Sequence, residues 1–327
     1  MLISGVLKRY IVADVRSDSG NSYLEHTWAA PDPPVPLPRI AETAPPSGVP
    51  ETHGRTGSHK PVLVTVPVHN EAKLLRSSIE RLDAGLAASG LSYTLSIVED
   101  GSTDGTREVI TSLQGDYPGL IARTSPNRLG RGLALRRIWT EIDSDIYVFV
   151  DADLASGPSS VLDVVSEVER GADVVTGSRY CPGALVHRPP LRRLTSMAYN
   201  RIVQGMFHEG IRDHQCGLKA FNHKALTTLI PLSRENTWAW DTEALILAKY
   251  SGLKVVEVPI EWTEFRSQRT PLKRLTSDIF LHGESIARLW DRTRGQVLTS
   301  ESDLDGLPAR VVIKRIATRG TSSDPVE

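Results

Sequence analysis

The sequence predicts an α/β protein with a mostly parallel sheet and helices packed on both faces of that sheet. From Lys60 onward, short apolar runs of strand length alternate with longer segments whose apolar residues recur at helical spacing. The alternation continues for about 120 residues, which is typical of parallel strands joined by crossover helices. Several apolar runs end in acidic or amide residues, and ligands of such sheets bind where the strands end.

The predicted elements follow one another in order along this region. The expected strands are 63–66, 95–98, 120–122, 146–150 and 174–176. The expected helices are 74–86, 106–113, 133–142, 158–170 and 241–250. Asp104 precedes the second helix and is placed to cap its first turn.

Composition excludes several classes of protein. The 327 residues are 40% hydrophobic and 24% charged, which is enough for a sizeable core and excludes a wholly disordered or fibrous chain. The net charge of −1 provides no overall field to recruit nucleic acid. Two cysteines make no disulfide framework, and no apolar run approaches the roughly 20 residues that span a bilayer. We therefore expect a cytoplasmic protein that is soluble or peripheral at the cytoplasmic face of a membrane.

Composition also divides the chain into three parts. Between Pro31 and Pro50 lie 8 of the 21 prolines, with almost no apolar periodicity. Residues 1–59 are therefore predicted to be a disordered lead-in, with a proline-rich docking role as the alternative. We expect the folded domain to cover residues 60–298, and residues 299–327 to form a polar tail.

The strongest sign of chemistry is the pair Asp151 and Asp153 at the end of the most apolar strand. Alternate residues of an extended segment point the same way, so the two carboxylates are expected to face one point. Their repulsion is relieved by a cation, and hard oxygen ligands suit Mg²⁺ or Mn²⁺. We expect a metal here together with a phosphate-bearing ligand. The glycine patterns of dinucleotide-binding and P-loop sites are absent.

A string of motifs then carries a family resemblance. The motifs are VPVHNE at 66–71, EDGSTDGT at 99–106, NRLGRG at 127–132, DADL at 151–154 and GSRY at 177–180. Together they resemble the inverting GT-A glycosyltransferases of family 2, and more narrowly the dolichyl- and polyprenyl-phosphate sugar synthases. Three further segments resemble the dolichyl-phosphate glucosyltransferases more than the mannosyl enzymes: 211–221, 238–243 and 260–264.

The resemblance implies a GT-A fold, the fold of nucleotide-diphospho-sugar transferases, and a set of site residues. The nucleotide pocket would be lined by Pro67, Asn70, Glu71, Glu99, Asp100 and Asp151. Glu99 stands where the family usually has an aspartate. Asp151 would face the donor and Asp153 would take the metal. The position two residues after Asp153 is Ala155, where some relatives supply a polar ligand.

Arginines concentrate in the region after the acidic pair. We expect a phosphate-bearing acceptor to bind them, because a guanidinium group binds phosphate oxygens through two hydrogen bonds. The expected acceptor-phosphate residues are Arg179, Arg188, Arg192, Arg193, Arg266 and Arg269. For any one of them, a solvated helix face is the alternative.

Chemistry favours a lipid phosphate as this acceptor. A phosphate monoester with a second pKa near 6 is already mostly dianionic at neutral pH and needs little help from a base. Asp213 completes the predicted catalytic set with Asp151, Asp153 and Arg179. It would be the base for a hydroxyl acceptor; otherwise it would orient Arg212 or an acceptor-side arginine.

These points predict an inverting transfer of a hexose to a polyprenyl or dolichyl phosphate, with glucose from UDP-glucose favoured. The alternatives are a GDP-mannose-dependent enzyme and a nucleotide-sugar-binding module without turnover. A polyprenyl acceptor requires contact with a membrane surface or a membrane-anchored partner. A basic amphipathic pattern over 272–290 either makes that contact or packs in the core.

Overall fold

The computed structural model describes residues 61–263 and 283–293. The predicted lead-in 1–59 and the tail 299–327 lie outside the described residues, as do Arg266, Arg269 and most of the amphipathic pattern over 272–290.

The centre of the protein is a seven-stranded sheet with the order β3-β2-β1-β4-β7-β5-β8. Its strands are β1 Val62–Val68, β2 Tyr93–Asp100, β3 Ile121–Ser125, β4 Ile146–Val150, β5 Val174–Ser178, β7 Leu218–Asn222 and β8 Val255–Pro259. All pairs are parallel except those of β7, which is antiparallel to both β4 and β5. The mostly parallel α/β sheet expected from the sequence is confirmed.

Helices connect the strands and flank the sheet. They are α1 Leu75–Ala87, α2 Thr106–Asp116, α3 Arg131–Glu141, α4 Ser159–Glu169, α5 Pro190–Phe207, α6 His223–Leu232 and α7 Trp240–Tyr250. Residues 283–293 are also helical. Helices α5 and α6 and strands β7 and β8 are not among the elements expected from the sequence.

The core forms two layers because alternate residues of each strand face opposite sides of the sheet. In β1, Val62, Val64 and Val66 belong to one apolar cluster, which also holds the buried residues of α1 and α4. Leu63 belongs to a second cluster with residues of α3, α6 and α7. The sheet is therefore covered on both faces.

A third, smaller cluster joins α5 to the helical residues 283–293. It contains Val203 and Phe207 of α5 together with Ile286 and Leu289. The described end of the amphipathic pattern therefore packs its apolar side chains into the protein.

The strand order places the acidic strand ends together. The adjacent parallel strands β2, β1 and β4 end at the same edge of the sheet. The chain runs from β1 toward β3 on one side and resumes at β4 on the other, which is a topological switch point where such sheets bind ligands. A separate two-stranded ribbon pairs β6 Leu185–His187 with β9 Glu261–Thr263. The Thr263 amide donates to the Ala155 carbonyl, which ties this ribbon to the turn after β4.

Candidate active site

The loops that follow β1 and β2 are hydrogen-bonded to each other. The Asn70 amide donates to the Ser102 hydroxyl (3.0 Å), and the Asn70 side-chain oxygen accepts from the Thr103 amide (2.8 Å). The Glu71 amide donates to the Thr106 hydroxyl (2.9 Å). Asn70 has a φ of 58°, a left-handed conformation that asparagine tolerates. The predicted nucleotide residues Asn70 and Glu71 thus lie on a loop held from the neighbouring strand end, and Pro67 lies within the last residues of β1.

Glu99 is buried and faces inward. Its carboxylate accepts from the Arg107 Nε (3.0 Å), from the Ser125 amide (3.3 Å) and from the Ser102 amide. These donors join the loop after β2 to α2 and to the end of β3. In the structure, the carboxylate that the resemblance assigned to the nucleotide pocket holds that loop in place.

Asp100 is also buried, and its carboxylate binds the loop ahead of α3. It accepts from the Gly130 amide (3.0 Å) and from the Leu129 amide. The same loop packs on Gly101, where a β-carbon would overlap the Arg128 backbone and where φ is +67°. Glycine is therefore required at this position, and Asp100 anchors the loop over the edge of the sheet.

Arg131, the first residue of α3, links two carboxylates. One terminal nitrogen donates to the Asp151 Oδ1 (2.7 Å), and the other pairs with the Asp241 Oδ2. Its guanidinium carbon lies 3.9 Å from the ring centroid of Trp238, close enough for a cation–π contact. Arg131 belongs to the motif at 127–132, but the motif alone indicates no role for it.

Asp241 lies fully buried in the first turn of α7, between two cations. The Lys219 Nζ is 3.9 Å from the Asp241 Oδ2 and also donates to the backbone carbonyls of His214 and Cys216. Burial raises the pKa of Asp241, against the opposing effect of the Arg131 and Lys219 charges. Its Oδ1 has no hydrogen-bond partner among the described residues. A lysine in the middle of an apolar strand was the available sequence signal for this cluster.

Asp151 and Asp153 lie in the turn that follows β4. The Asp151 side chain is partly exposed, and a β-carbon on Gly217 would overlap its carboxylate. Glycine at 217 therefore lets the Asp151 carboxylate lie directly against the backbone of this segment. The Asp153 Oδ1 accepts from the Ala155 amide (3.2 Å), and Leu154 between them has a φ of 47°.

The two aspartates fit a divalent cation of the Mg²⁺ type. Such ions are usually bound by one or two carboxylates together with water and substrate phosphates, and the Asp151 side chain is partly exposed to solvent. Among residues 61–263 and 283–293, no group of three or more His, Cys, Asp or Glu side chains is arranged to hold a metal by itself. A cation at this turn would therefore depend on oxygens of the bound donor.

Arg179 at the end of β5 forms a buried ion pair with Asp213. Its Nε and one terminal nitrogen donate to the two carboxylate oxygens (2.7 and 2.8 Å), and its amide donates to Oδ2 (3.0 Å). Its guanidinium carbon lies 5.0 Å from the ring centroid of Trp262. The Asp213 amide donates to the Glu257 carboxylate (3.1 Å). In this geometry Asp213 orients Arg179, one of the two roles left open by the sequence.

The same pair sets the pKa values of both groups. Burial alone would raise the pKa of Asp213, but the charge and hydrogen bonds of Arg179 hold it below its ordinary value. Burial would lower the pKa of Arg179, but the Asp213 carboxylate raises it. Both groups are therefore ionised at neutral pH.

Arg188 and Arg192 add positive charge beside this pair. Arg188 follows β6 and donates to the Ser196 hydroxyl of α5 (2.9 Å). Burial lowers the pKa of Arg188 to about 10, and the positive charges of Arg179 and Arg192 add to this effect. A bound anion would relieve this repulsion. Arg193, also on α5, is exposed.

Comparison with known proteins identifies the family. A model of glycosyl transferase family 2 matches residues 63–230, which is half of the chain. The chain belongs to glycosyl transferase family 2. The match covers the strands and turns that carry Asn70, Asp100, Asp151, Arg179 and Asp213.

Three relatives illustrate this membership. Glycosyltransferase AglD of Haloferax volcanii is 35% identical over 70% of this chain. Dolichyl-phosphate beta-glucosyltransferase ALG5C of Trichomonas vaginalis is 29% identical over 61%. Dolichol-phosphate mannosyltransferase of Pyrococcus furiosus is 32% identical over 70%. The chain spans 37% of the length of the Haloferax protein and 63% of each of the other two.

Solved structures confirm the fold. Glucosyl-3-phosphoglycerate synthase from Mycobacterium tuberculosis, in complex with Mn²⁺, UDP and glucosyl-3-phosphoglycerate, has a TM-score of 0.56 and 21% identity. The match covers 71% of this chain and 80% of that chain. At this identity the likeness shows the fold alone, and this chain has the predicted GT-A architecture. Among the residues that the structure describes, no helix has the length and apolar character needed to cross a bilayer.

Proposed function

We propose that this family 2 protein transfers a hexose from a nucleotide sugar to a polyprenyl phosphate, with inversion at the anomeric carbon. Glucose from UDP-glucose is the favoured donor. The observation that carries the proposal is that Arg179, Arg188 and Arg192 are connected to the Asp151–Asp153 turn. The segment from Asp213 to Gly217 joins the two, since Asp213 binds Arg179 and Gly217 lies against Asp151.

The ribbon of β6 and β9 supplies a second connection. β9 is hydrogen-bonded to Ala155, in the turn after β4, and β6 leads directly into Arg188. The arginines and the acidic turn are therefore held by one set of backbone contacts. An acceptor phosphate bound by Arg179, Arg188 and Arg192 would lie next to a donor diphosphate bound at the acidic turn.

The transfer reaction depends on reducing the repulsion between two anions more than on moving a proton. An oxygen of the acceptor phosphate forms the new bond to the anomeric carbon, and the bond from that carbon to the nucleoside diphosphate breaks. Because the phosphate is largely dianionic at neutral pH, it needs no base, in agreement with the engagement of Asp213 by Arg179. The arginines of the site bind the attacking phosphate and reduce the repulsion between the two anions.

A bound Mg²⁺ or Mn²⁺ would stabilise the negative charge that develops on the departing nucleoside diphosphate. Asp151 and Asp153 are the residues that would hold it. Arg131, which pairs with Asp151, would set the position of that carboxylate. Asn70, Glu71 and the loop anchored by Asp100 would enclose the nucleotide, as the family resemblance implies.

Related proteins support this class of acceptor. Their names specify dolichyl phosphate as the acceptor of a glucosyl group in one case and of a mannosyl group in another. The second supports GDP-mannose as the alternative donor. A lipid acceptor implies action at a membrane surface or beside a membrane-anchored partner. The two free thiols, Cys181 and Cys216, agree with the cytoplasmic face.

The test is a direct assay of transfer. The full chain is incubated with UDP-glucose or GDP-mannose, a polyprenyl phosphate and Mg²⁺ or Mn²⁺, and the lipid product is measured by mass spectrometry. A glycosylated lipid phosphate and an equal amount of released nucleoside diphosphate are expected. Binding of a nucleotide sugar without turnover of any donor would instead support a non-catalytic module and reject the proposal.

A further inference from the structure

Helix α5 exposes an apolar face to solvent. Leu191, Leu194 and Ile202 are 62%, 64% and 60% exposed, and Ala198 between them is exposed as well. These positions are spaced by three or four residues and so share one side of the helix. The buried residues of α5 lie on the opposite side: Ser196, Asn200, Val203 and Phe207. The face that a solvated helix would fill with polar side chains is therefore apolar here.

The strand that precedes α5 extends this character. Leu185 of β6 is 57% exposed, and only Arg188 and Pro189 separate β6 from the helix. Four of the six large apolar side chains with high exposure in the described residues belong to this β6–α5 segment. Clustering of this kind marks a surface that contacts something other than water.

Charge indicates what that partner is. From Arg179 to His208 the chain contains five arginines and no aspartate or glutamate. Two of them, Arg193 and Arg201, are exposed on α5 itself. An apolar helix face within a segment that carries basic residues and no acidic ones fits the interface of an anionic bilayer, where apolar side chains enter the acyl boundary and arginines contact lipid phosphates.

We propose that the outward face of α5, defined by Leu191, Leu194, Ala198 and Ile202, is the surface by which this protein docks on an anionic membrane. The purpose of this docking rests on the proposed function: Arg188 lies just before α5 and Arg192 lies in its first turn. Docking through α5 would bring these arginines to the depth of lipid phosphates. An acceptor phosphate could then enter the site while its prenyl chain stays in the bilayer.

Vesicle flotation tests the surface without any acceptor present. The full chain is mixed with vesicles of phosphatidylcholine containing phosphatidylglycerol and no polyprenyl phosphate. The triple variant Leu191→Ser, Leu194→Ser and Ile202→Ser should lose about tenfold or more in partition coefficient, because three apolar side chains no longer enter the interface. The matched variant with methionine at the same three positions should bind like the wild type. Equal binding by the serine variant would overturn the proposal.

The contribution of the arginine charges to membrane binding is tested with a second pair of variants. Replacing Arg193 and Arg201 by glutamate should weaken binding to phosphatidylglycerol vesicles, whereas replacing both by lysine should preserve it. Pure phosphatidylcholine vesicles should bind all forms weakly. Binding that is indifferent to lipid charge and to these substitutions would contradict the anionic bilayer as the occupant.

A positional label separates α5 from other surfaces. In a Cys181→Ser background, an environment-sensitive dye is attached at Ile202→Cys, or at Ala88→Cys at the exposed end of α1. Vesicles should shift the emission of the dye at 202 to the blue and leave the dye at 88 unchanged. A shift at 88 alone would assign docking to another face. Dimerisation lost in the serine variant, without vesicle binding, would assign α5 to a second copy.

Activity distinguishes failure of this inference from failure of the proposed function. With a short, water-soluble prenyl phosphate as acceptor, the serine variant should turn over like the wild type. Retained vesicle binding by the serine variant with normal turnover would reject the docking surface alone. If the serine variant loses vesicle binding but the wild type turns over no acceptor, the proposed function is rejected and the docking surface is supported.

Discussion

Arg179 and Asp213 bind each other through three hydrogen bonds in a buried position, two from the guanidinium and one from the Arg179 amide. The carboxylate is fully buried and cannot at the same time take a proton from an acceptor. The pair therefore separates two mechanisms: a base-dependent attack by a hydroxyl and a base-free attack by a phosphate. The second is the mechanism that we propose.

Breaking this pair should destabilise the protein. Asp213→Asn leaves the Arg179 cation buried without its counter-charge, and such changes cost about 3–5 kcal/mol of unfolding free energy. Urea denaturation followed by circular dichroism measures the loss. The neighbouring exposed variant Arg212→Gln serves as the control, because its side chain lies at the surface. A change below 1 kcal/mol in Asp213→Asn would contradict the account of a tightly coupled pair.

The same pair predicts how stability depends on acid. The pKa of Asp213 is lower in the folded protein than in the unfolded chain, where aspartate titrates near 3.9. Its contribution is therefore fully present well above pH 4 and is lost as pH falls below 4 toward the folded pKa. Wild-type stability should fall more steeply than that of Asp213→Asn between about pH 4 and 2. Parallel curves would show that Asp213 does not titrate with this sign.

Arg188 should reveal a conflict between stability and binding. Its pKa is lowered to about 10, chiefly by burial, so the cation is unfavourable in the folded state at neutral pH. After allowance for solvent screening, Arg188→Gln should stabilise the fold by about 1 kcal/mol, a rise of ~2–4 °C in Tm. It should also raise the acceptor KM more than the donor KM. A lower Tm with an unchanged acceptor KM would make Arg188 a structural residue.

The bridge made by Arg131 can be tested with a double-mutant cycle. Arg131→Met alone leaves Asp241 buried without its guanidinium partner and should destabilise the protein by about 3–5 kcal/mol. Adding Asp241→Asn should restore part of this loss, because the carboxylate that lost its guanidinium partner is then replaced by a neutral amide. Chemical denaturation of the four proteins gives the coupling energy. Strict additivity of the two substitutions would show that Arg131 and Asp241 are not coupled.

The two cysteines should differ sharply in reactivity. Burial raises the pKa of the Cys216 thiol to about 12, while Cys181 is partly exposed. A thiol reagent applied to the native protein at pH 8 should modify Cys181 and leave Cys216 unmodified until the protein unfolds. Mass spectrometry of the labelled peptides measures this. Rapid native modification of Cys216 would contradict the packing around β7.

Much of the fold follows from the sequence, since a strand such as β4 is an uninterrupted apolar run that is followed directly by an acidic residue. The hydrophobic pattern did not predict the elements whose burial depends on tertiary contacts. Strand β7 carries Lys219, a charge that local reasoning assigns to the surface, whereas here it is buried beside Asp241. Strands β6 and β9 are three residues each, too short for any periodicity.

The candidate site was also predictable only in part. The carboxylates at the strand ends were predictable because parallel strands end at one edge. The partners of Glu99 and Asp100 inside the protein were not predictable. Both carboxylates accept from backbone amides, and every residue except proline has such an amide, so the sequence does not show which ones are used. Arg131 was missed because its two partners, Asp151 and Asp241, are far from it in the chain.

The central claim is that arginines and a divalent cation together allow an ionised lipid phosphate to attack the donor sugar. The most direct measurement compares a prenyl phosphate with the prenyl alcohol of the same chain, in the presence of Mg²⁺ or Mn²⁺ and in EDTA. We expect transfer to the phosphate alone, lost in EDTA and in Asp153→Ala, with Arg192→Ala raising the acceptor KM far more than the donor KM. Equal transfer to the alcohol, or undiminished turnover by Asp153→Ala, would contradict the account.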